Sequence, residues 1–129
     1  MNLRMIQDRK LTGEGEFDYD LANDILFFKV KNREYSYSME LSNYVIDIDS
    51  EEFVVGMQIF DASTLFNLGK EVLKSVKNWR LEATIKNNII QVKVFFDTVI
   101  RNKIVERNPI IVQRTMEDLP DSLVQVVSN

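Results

Sequence analysis

The chain has 129 residues, is 45% hydrophobic and 28% charged, carries a net charge of −4, and contains neither cysteine nor histidine. Without cysteine there is no disulfide, thiolate metal site or thiol nucleophile, and without histidine there is no Ser-His-Asp triad, His-based nuclease or His-ligated zinc, so only carboxylate, lysine or tyrosine chemistry is left. No apolar run reaches the ~20 residues of a membrane-spanning helix and no apolar leader opens the chain, so we expect one cytoplasmic domain over residues 1–129.

Residues 1–10 show no period. Thr12-Gly13-Glu14-Gly15 reads as a flexible break, which leaves residues 1–13 as an edge strand or a loose arm. Residues 16–20 alternate polar and aromatic side chains, as in a strand with one buried face. Three more strands follow at 25–30, 35–39 and 44–49, with turns at Leu21–Asp24, Asn32-Arg33 and Ser50–Glu52. Short strands joined by short polar turns imply an antiparallel meander. Residues 53–60 are nearly all apolar and read as a central strand. Gly56 inside it marks a bulge or the close approach of another backbone.

The period then changes from two to about 3.6. Leu65, Leu68, Val72, Val76 and Trp79 form one stripe, widened by Phe66 and Leu73, which predicts a single central α-helix over about 61–78. Asp61 or Ser63 is placed to cap its start, and Lys74 and Lys77 suit its C-terminal dipole. Gly69 should cost roughly 1 kcal/mol relative to alanine, and close packing is the expected reason for it.

The order of these segments carries a resemblance. Phe17-Asp18-Tyr19-Asp20, Asn23-Asp24-Ile25-Leu26-Phe27-Phe28, Ile46-Asp47-Ile48-Asp49 and Val55-Gly56-Met57-Gln58-Ile59-Phe60-Asp61-Ala62-Ser63 resemble the family catalogued as domain of unknown function 2283. Tyr19-Asp20, Asp24, Asp49, Gly56, Ala62 and Ser63 fall on that family's pattern, over residues 15–66. The resemblance implies an antiparallel sheet of four or five strands followed by a helix, and no established catalytic site. Some family members look like partners of small toxin-like proteins, which points to an antitoxin-like alternative.

The remainder is an unmatched β-rich extension over 79–129. Arg80 to Lys86 alternates, and Asn87-Asn88 suits a type I′ turn because Asn tolerates positive φ. Folding there pairs Ile85 with Ile90, Ala83 with Val92 and Leu81 with Val94 on one face, and Glu82 with Lys93 and Thr84 with Gln91 on the other. A three-residue loop at Arg101-Asn102-Lys103 would set Arg107 opposite Asp97 and Val105 opposite Val99. Asn108-Pro109 interrupts the ladder, because proline has no N–H to donate. Leu123–Val127 adds a last short strand, and the Ser-Asn end suggests fraying.

Four aspartates are candidate ligands for a divalent cation: Asp18, Asp20, Asp24 and Asp49. No calcium-binding loop follows Asp18, since position 29 is Lys, and turn-forming roles explain the same residues. Phe17, Tyr19, Tyr35, Tyr37 and Tyr44 suggest an aromatic surface for a protein partner. Nucleic acid is disfavoured, because residues 1–64 hold 13 acidic against 6 basic side chains. Residues 65–129 hold 7 acidic against 10 basic, and Lys70, Lys74, Lys77, Arg80 and Lys86 suggest a basic patch. This asymmetry is suited to head-to-tail association.

The fold expectation is therefore α+β: an antiparallel meander, one central helix, then a second set of antiparallel strands. The functional expectation is a non-enzymatic interaction or oligomerisation protein, a homo-oligomer without a cofactor or membrane association. The alternatives are a small-ligand or divalent-metal site at the Asp-rich turns, and an antitoxin-like inhibitor.

Overall fold

The computed structural model describes residues 9–128. Among them are ten strands: β1 (Lys10–Asp20), β2 (Ile25–Val30), β3 (Tyr35–Glu40), β4 (Tyr44–Asp49), β5 (Val54–Phe60), β6 (Trp79–Lys86), β7 (Ile89–Ile100), β8 (Lys103–Arg107), β9 (Ile110–Arg114) and β10 (Ser122–Ser128). Two short helices, α1 (Ala62–Phe66) and α2 (Lys70–Ser75), lie between β5 and β6. The protein is thus mostly β, with little helix. No helix among the described residues is long and apolar enough to cross a membrane.

The strands form one sheet in the order β3-β4-β5-β2-β1-β10-β6-β7-β8, with β9 also on β7. The expected division into two strand sets does not hold. The C-terminal strand β10 joins what would have been the two sets, lying parallel to β1 from Lys10 opposite Leu123 to Gly15 opposite Ser128, and antiparallel to β6. The last strand expected at Leu123–Val127 is present as β10, and it is central rather than peripheral, with Val124 and Val126 fully buried; of the end expected to fray, Asn129 lies outside the described residues. Ser128 is held as well, its Oγ accepting the Trp79 N–H at 2.8 Å.

The expected break at Thr12–Gly15 is also absent, because β1 runs straight through both glycines. Gly15 shows why a glycine stands there. A Cβ would fall on the Val126 Cγ1 and lie 2.9 Å from the Lys29 carbonyl oxygen. The expectations for residues 1–8 lie outside the described residues.

Alternation decides which face each strand buries. Tyr19, Leu26, Phe28, Tyr44, Ile46, Met57 and Ile59 from the first five strands meet Leu81, Ala83, Ile90, Val92, Val94 and Val126 in one apolar core. Phe17 joins the two halves, stacking on Phe28 at 5.7 Å and on Trp79 at 6.3 Å between ring centroids. The ends of the strand order also meet. The Ser42 backbone N–H and hydroxyl, in the β3–β4 turn, donate to Gln113 Oε1 on β9 at 3.3 and 2.8 Å. A twisted sheet with one apolar face curls in this way to bury that face against itself.

The β6–β7 hairpin has the expected register: Ile85 opposite Ile90, Ala83 opposite Val92, Leu81 opposite Val94. Asn87 and Asn88 both take positive φ, 51° and 61°. The next hairpin is one residue tighter than expected. Arg101 and Asn102 take positive φ as a two-residue turn, so Ile100 faces Lys103, Thr98 faces Val105 and Phe96 faces Arg107. A one-residue slip moves side chains to the opposite face, and Arg107 accordingly reaches the Thr98 hydroxyl, its Nε donating at 3.2 Å.

The expected single helix is broken in two. Asn67 adopts the left-handed conformation, φ 56°, and its N–H closes α1 on the Ser63 and Thr64 carbonyls. Gly69 is extended and opens α2, and the chain is extended again at Val76. The apolar stripe is real, with Phe66 and Leu73 buried, but the helix is interrupted between them at Asn67 and Gly69. Close packing does not explain Gly69, since an added Cβ would meet only Val72, at 4.0 Å.

Candidate functional site

Three features of this fold bear on function: a buried polar clasp, an open hollow on the outer face of the sheet, and a projecting hairpin. The clasp joins the β1–β2 turn to α1. Asp24 is 7% exposed and in the left-handed region, φ 56°. Its carboxylate accepts the Tyr19 hydroxyl at 2.6 Å, the Ser63 N–H at 2.9 Å and the Ser63 hydroxyl at 2.6 Å. Asp61 caps nothing with its side chain, so the cap of α1 comes from a residue 39 positions earlier than Ser63. Burial raises the Asp24 carboxyl's pKa, but the bonds from Ser63 and Tyr19 outweigh it and leave it below the usual carboxylate range. Burial and the bond to Asp24 push the Tyr19 phenol well above its ordinary value. Lys74 adds a bond to the Tyr19 carbonyl at 3.1 Å. These bonds fix the first helix to the β1–β2 turn.

Asp49 does similar work in the β4–β5 turn. It accepts the Glu51 N–H at 3.0 Å, the Phe53 N–H at 2.9 Å and Arg33 at 2.9 Å. Arg33 also reaches Glu51 at 2.7 Å. The carboxylates of Glu51 and Asp49 hold the Arg33 guanidinium above its ordinary pKa.

The hollow lies over β1, β2 and β5, on the face opposite the core. It has a volume of about 390 Å³, within the usual range of ligand sites. Glu16, Asp18, Lys29, Arg33, Asp47, Phe27 and Tyr35 are among its walls. Asp47, one of its walls, packs across Gly56 of β5. A Cβ on Gly56 would sit 2.7 Å from Asp47 Oδ2 and 3.3 Å from the Phe28 carbonyl oxygen. The register shifts beside this glycine, with Asp47 opposite Gly56 but Ile48 opposite Val54, so Val55 forms a bulge. Asp47 accepts the Ser38 hydroxyl at 2.6 Å. Glu16, Asp18 and Lys29 have no ion-pair partner among the described residues.

The projecting hairpin is formed by the far ends of β7 and β8. β6 pairs with β7 only as far as Phe96. Residues Asp97–Ile100 continue with β8 alone beside them, an overhang of four residues or about 13 Å. Thr98 is buried near its root, but Val99 is 70% exposed, Ile100 43% and Ile104 73%. Val99 and Ile104 face each other across the pair. Arg101 and Lys103 are exposed between them. Below the overhang, Ile110 and Val112 on β9 are also exposed.

The sequence-derived candidates do not converge. Asp18 stands in the hollow, and Asp20 accepts the Asn23 side chain at 2.8 Å and backbone at 3.1 Å, which lowers its pKa. Asp24 and Asp49 belong to the two separate turns described above. Among the described residues no group of three or more carboxylates is placed to hold a metal ion. The expected aromatic surface is dispersed as well. Tyr19 and Tyr44 are core, Phe17 stacks between the halves, and only Tyr35 and Tyr37 are exposed, on β3. Nor do the five basic residues form one patch. Lys74 is bound to Tyr19, Arg80 lies over Phe95 at 4.2 Å, and Lys86 stands at the other end of β6, about 20 Å from Arg80. Reading the sequence missed the hairpin arm. Its signal was the length mismatch between an eight-residue β6 and a twelve-residue β7.

Residues 16–63 match the family described as Protein of unknown function (DUF2283). Over 92 residues the chain is 32% identical to a Methanosarcina mazei protein named putative hypoxanthine phosphoribosyltransferase, covering 71% of this chain and 75% of that one. This chain belongs to the DUF2283 family. An uncharacterized protein of Methanocaldococcus jannaschii is 30% identical over 80 residues, covering 61% of this chain and 69% of its own length. No solved structure gives a significant match. The clasp and the whole lining of the hollow fall within the matched DUF2283 segment, and the hairpin arm falls outside it.

Proposed function

We propose that this DUF2283 protein is a non-enzymatic interaction module of the cytoplasm that grips a protein partner through the β7–β8 arm. The observation that carries this reading is the unsupported overhang. Beyond Phe96 the two strands have no third strand beside them among the described residues, and a hairpin alone is marginal in water; Thr98 is buried at its root, while Val99, Ile100 and Ile104 expose apolar surface on both of its faces. Exposed apolar residues grouped at one end of a sheet, beside the open backbone edge of β8, are the features of a binding surface. The acidic outer face of the first half favours protein over nucleic acid.

The phosphoribosyltransferase name of the Methanosarcina relative is not carried over. Holding sugar phosphates calls for backbone N–H groups gathered at a helix N-terminus or a glycine-rich turn. The two described helices have five and six residues. The Ser63 N–H at the start of α1 is already taken by Asp24.

The test is a double substitution, Val99→Ser with Ile104→Ser, on the full chain. The wild type should self-associate or retain a co-purifying protein, and the variant should lose that association while unfolding at an unchanged temperature. Equal behaviour of the two proteins would refute the reading. A second reading, a small-ligand site, rests on the hollow alone. It calls for a saturable ligand whose binding Asp18→Lys abolishes.

A further inference from the structure

We infer that the partner of the arm is a second copy of this chain, and that the arm docks in the hollow over β1, β2 and β5. This rests on the interaction reading above and deepens it by naming the surface that is gripped. The two surfaces are complementary in charge and in polarity. The tip presents Arg101 and Lys103 between Val99, Ile100 and Ile104, all exposed. The hollow presents Glu16, Asp18 and Asp47 beside the aromatic rings of Phe27 and Tyr35. Its two cations do not cancel those carboxylates. Arg33 is committed to Asp49 and Glu51 at 2.9 and 2.7 Å, which leaves Lys29 against three carboxylates. Carboxylates set next to aromatic faces suit a basic group with an apolar stem.

The chain's own arm does not fill the hollow: no residue of β7 or β8 is among its walls, and neither strand pairs with β1, β2 or β5. The overhang, about 13 Å of hairpin leading away from β6, is free to enter a neighbour. Such a contact joins two different patches. It is heterologous, so it leaves one free arm and one free hollow at the ends of each assembly unless a ring closes.

The experiment uses the full chain and two charge-reversed variants: Glu16→Lys with Asp18→Lys in the hollow, and Arg101→Glu with Lys103→Glu on the arm. All four positions are exposed, so thermal unfolding should be unchanged. Each variant alone should associate at least about tenfold more weakly than the wild type, because like charges then face each other. An equimolar mixture should recover association, since the acidic arm fits the basic hollow and the unaltered arm fits the unaltered hollow. If only the arm variant loses association, the interaction reading stands and the hollow is not the partner surface. If both lose it and the mixture does not recover, the pairing of arm with hollow is wrong. A wild type that is monomeric at about millimolar concentration overturns the self-docking, and a different protein retained by the arm would then be the partner.

Discussion

Replacing Asp24 by alanine should be among the most damaging single changes in the matched segment. The carboxylate accepts three bonds, at 2.6, 2.9 and 2.6 Å, from Tyr19 and from the backbone and side chain of Ser63. Loss of a helix cap costs about 0.5–2 kcal/mol. A buried hydroxyl left without an acceptor costs about 1–3 kcal/mol, and Tyr19 is only 4% exposed. These terms overlap, so about 2–4 kcal/mol is expected, a large share of the 5–15 kcal/mol that holds a domain of this size. Urea unfolding followed by Trp79 fluorescence would measure it, since Trp79 is the only tryptophan and is buried. Tyr19→Phe removes the orphaned hydroxyl, so the double variant should be less destabilised than the sum of the singles, with a coupling of about 1 kcal/mol. The pH dependence has a definite sign. Asp24's pKa is lowered on folding, so its contribution is fully present above the ordinary carboxylate pKa of about 4 and is lost as pH falls through the lower folded value. The gap between wild type and Asp24→Ala should therefore close in acid. A cost below about 0.5 kcal/mol at neutral pH, or a gap that widens in acid, would refute the clasp.

Two further substitutions and one truncation probe the fold. Gly15→Ala should cost about 1–3 kcal/mol through overpacking against the fully buried Val126 and the Lys29 carbonyl, as read by the shift in urea midpoint; a neutral result would contradict β1 as a core strand. Truncation before Ser122 removes β10 from between β1 and β6, and the shortened chain should fail to give a cooperative thermal transition, whereas a merely frayed tail would leave it intact. Tyr44→Phe should be neutral or stabilising by up to about 1 kcal/mol, since its buried hydroxyl has no partner among the described residues; a loss of more than that in melting or denaturant experiments would reveal a bond to water or another group. Burial also raises the Tyr44 phenol to about 12, so spectrophotometric titration should show it ionising only in strong alkali.

What could be read in the sequence followed the range of the forces involved. The β6–β7 hairpin was legible to the residue, because alternation and the Asn87-Asn88 turn point to the same register. The next hairpin slipped by one, because Lys103 looks like loop in sequence although it pairs with Ile100. The helical stripe between Leu65 and Trp79 hid the break at Asn67 and Gly69, since apolar period says nothing about a single left-handed residue. Long-range features left no local mark. The parallel pairing of β1 with β10, and the capping of α1 by Asp24, both depend on how distant segments meet. The arm escaped because alternation reveals a strand but not where its neighbour stops. The hollow escaped because Glu16, Asp18 and Asp47 converge only across β1, β2, β5 and β4.

The most direct test of the interaction reading is the native mass of the purified protein by light scattering, at about 50 mM and about 500 mM salt. We expect species heavier than the 15.1 kDa chain at the lower salt, growing with concentration and falling toward the monomer at the higher, because screening over a few ångströms weakens the contact between basic arm and acidic hollow. A mass of 15.1 kDa at both salts and at high concentration would contradict self-association through the arm.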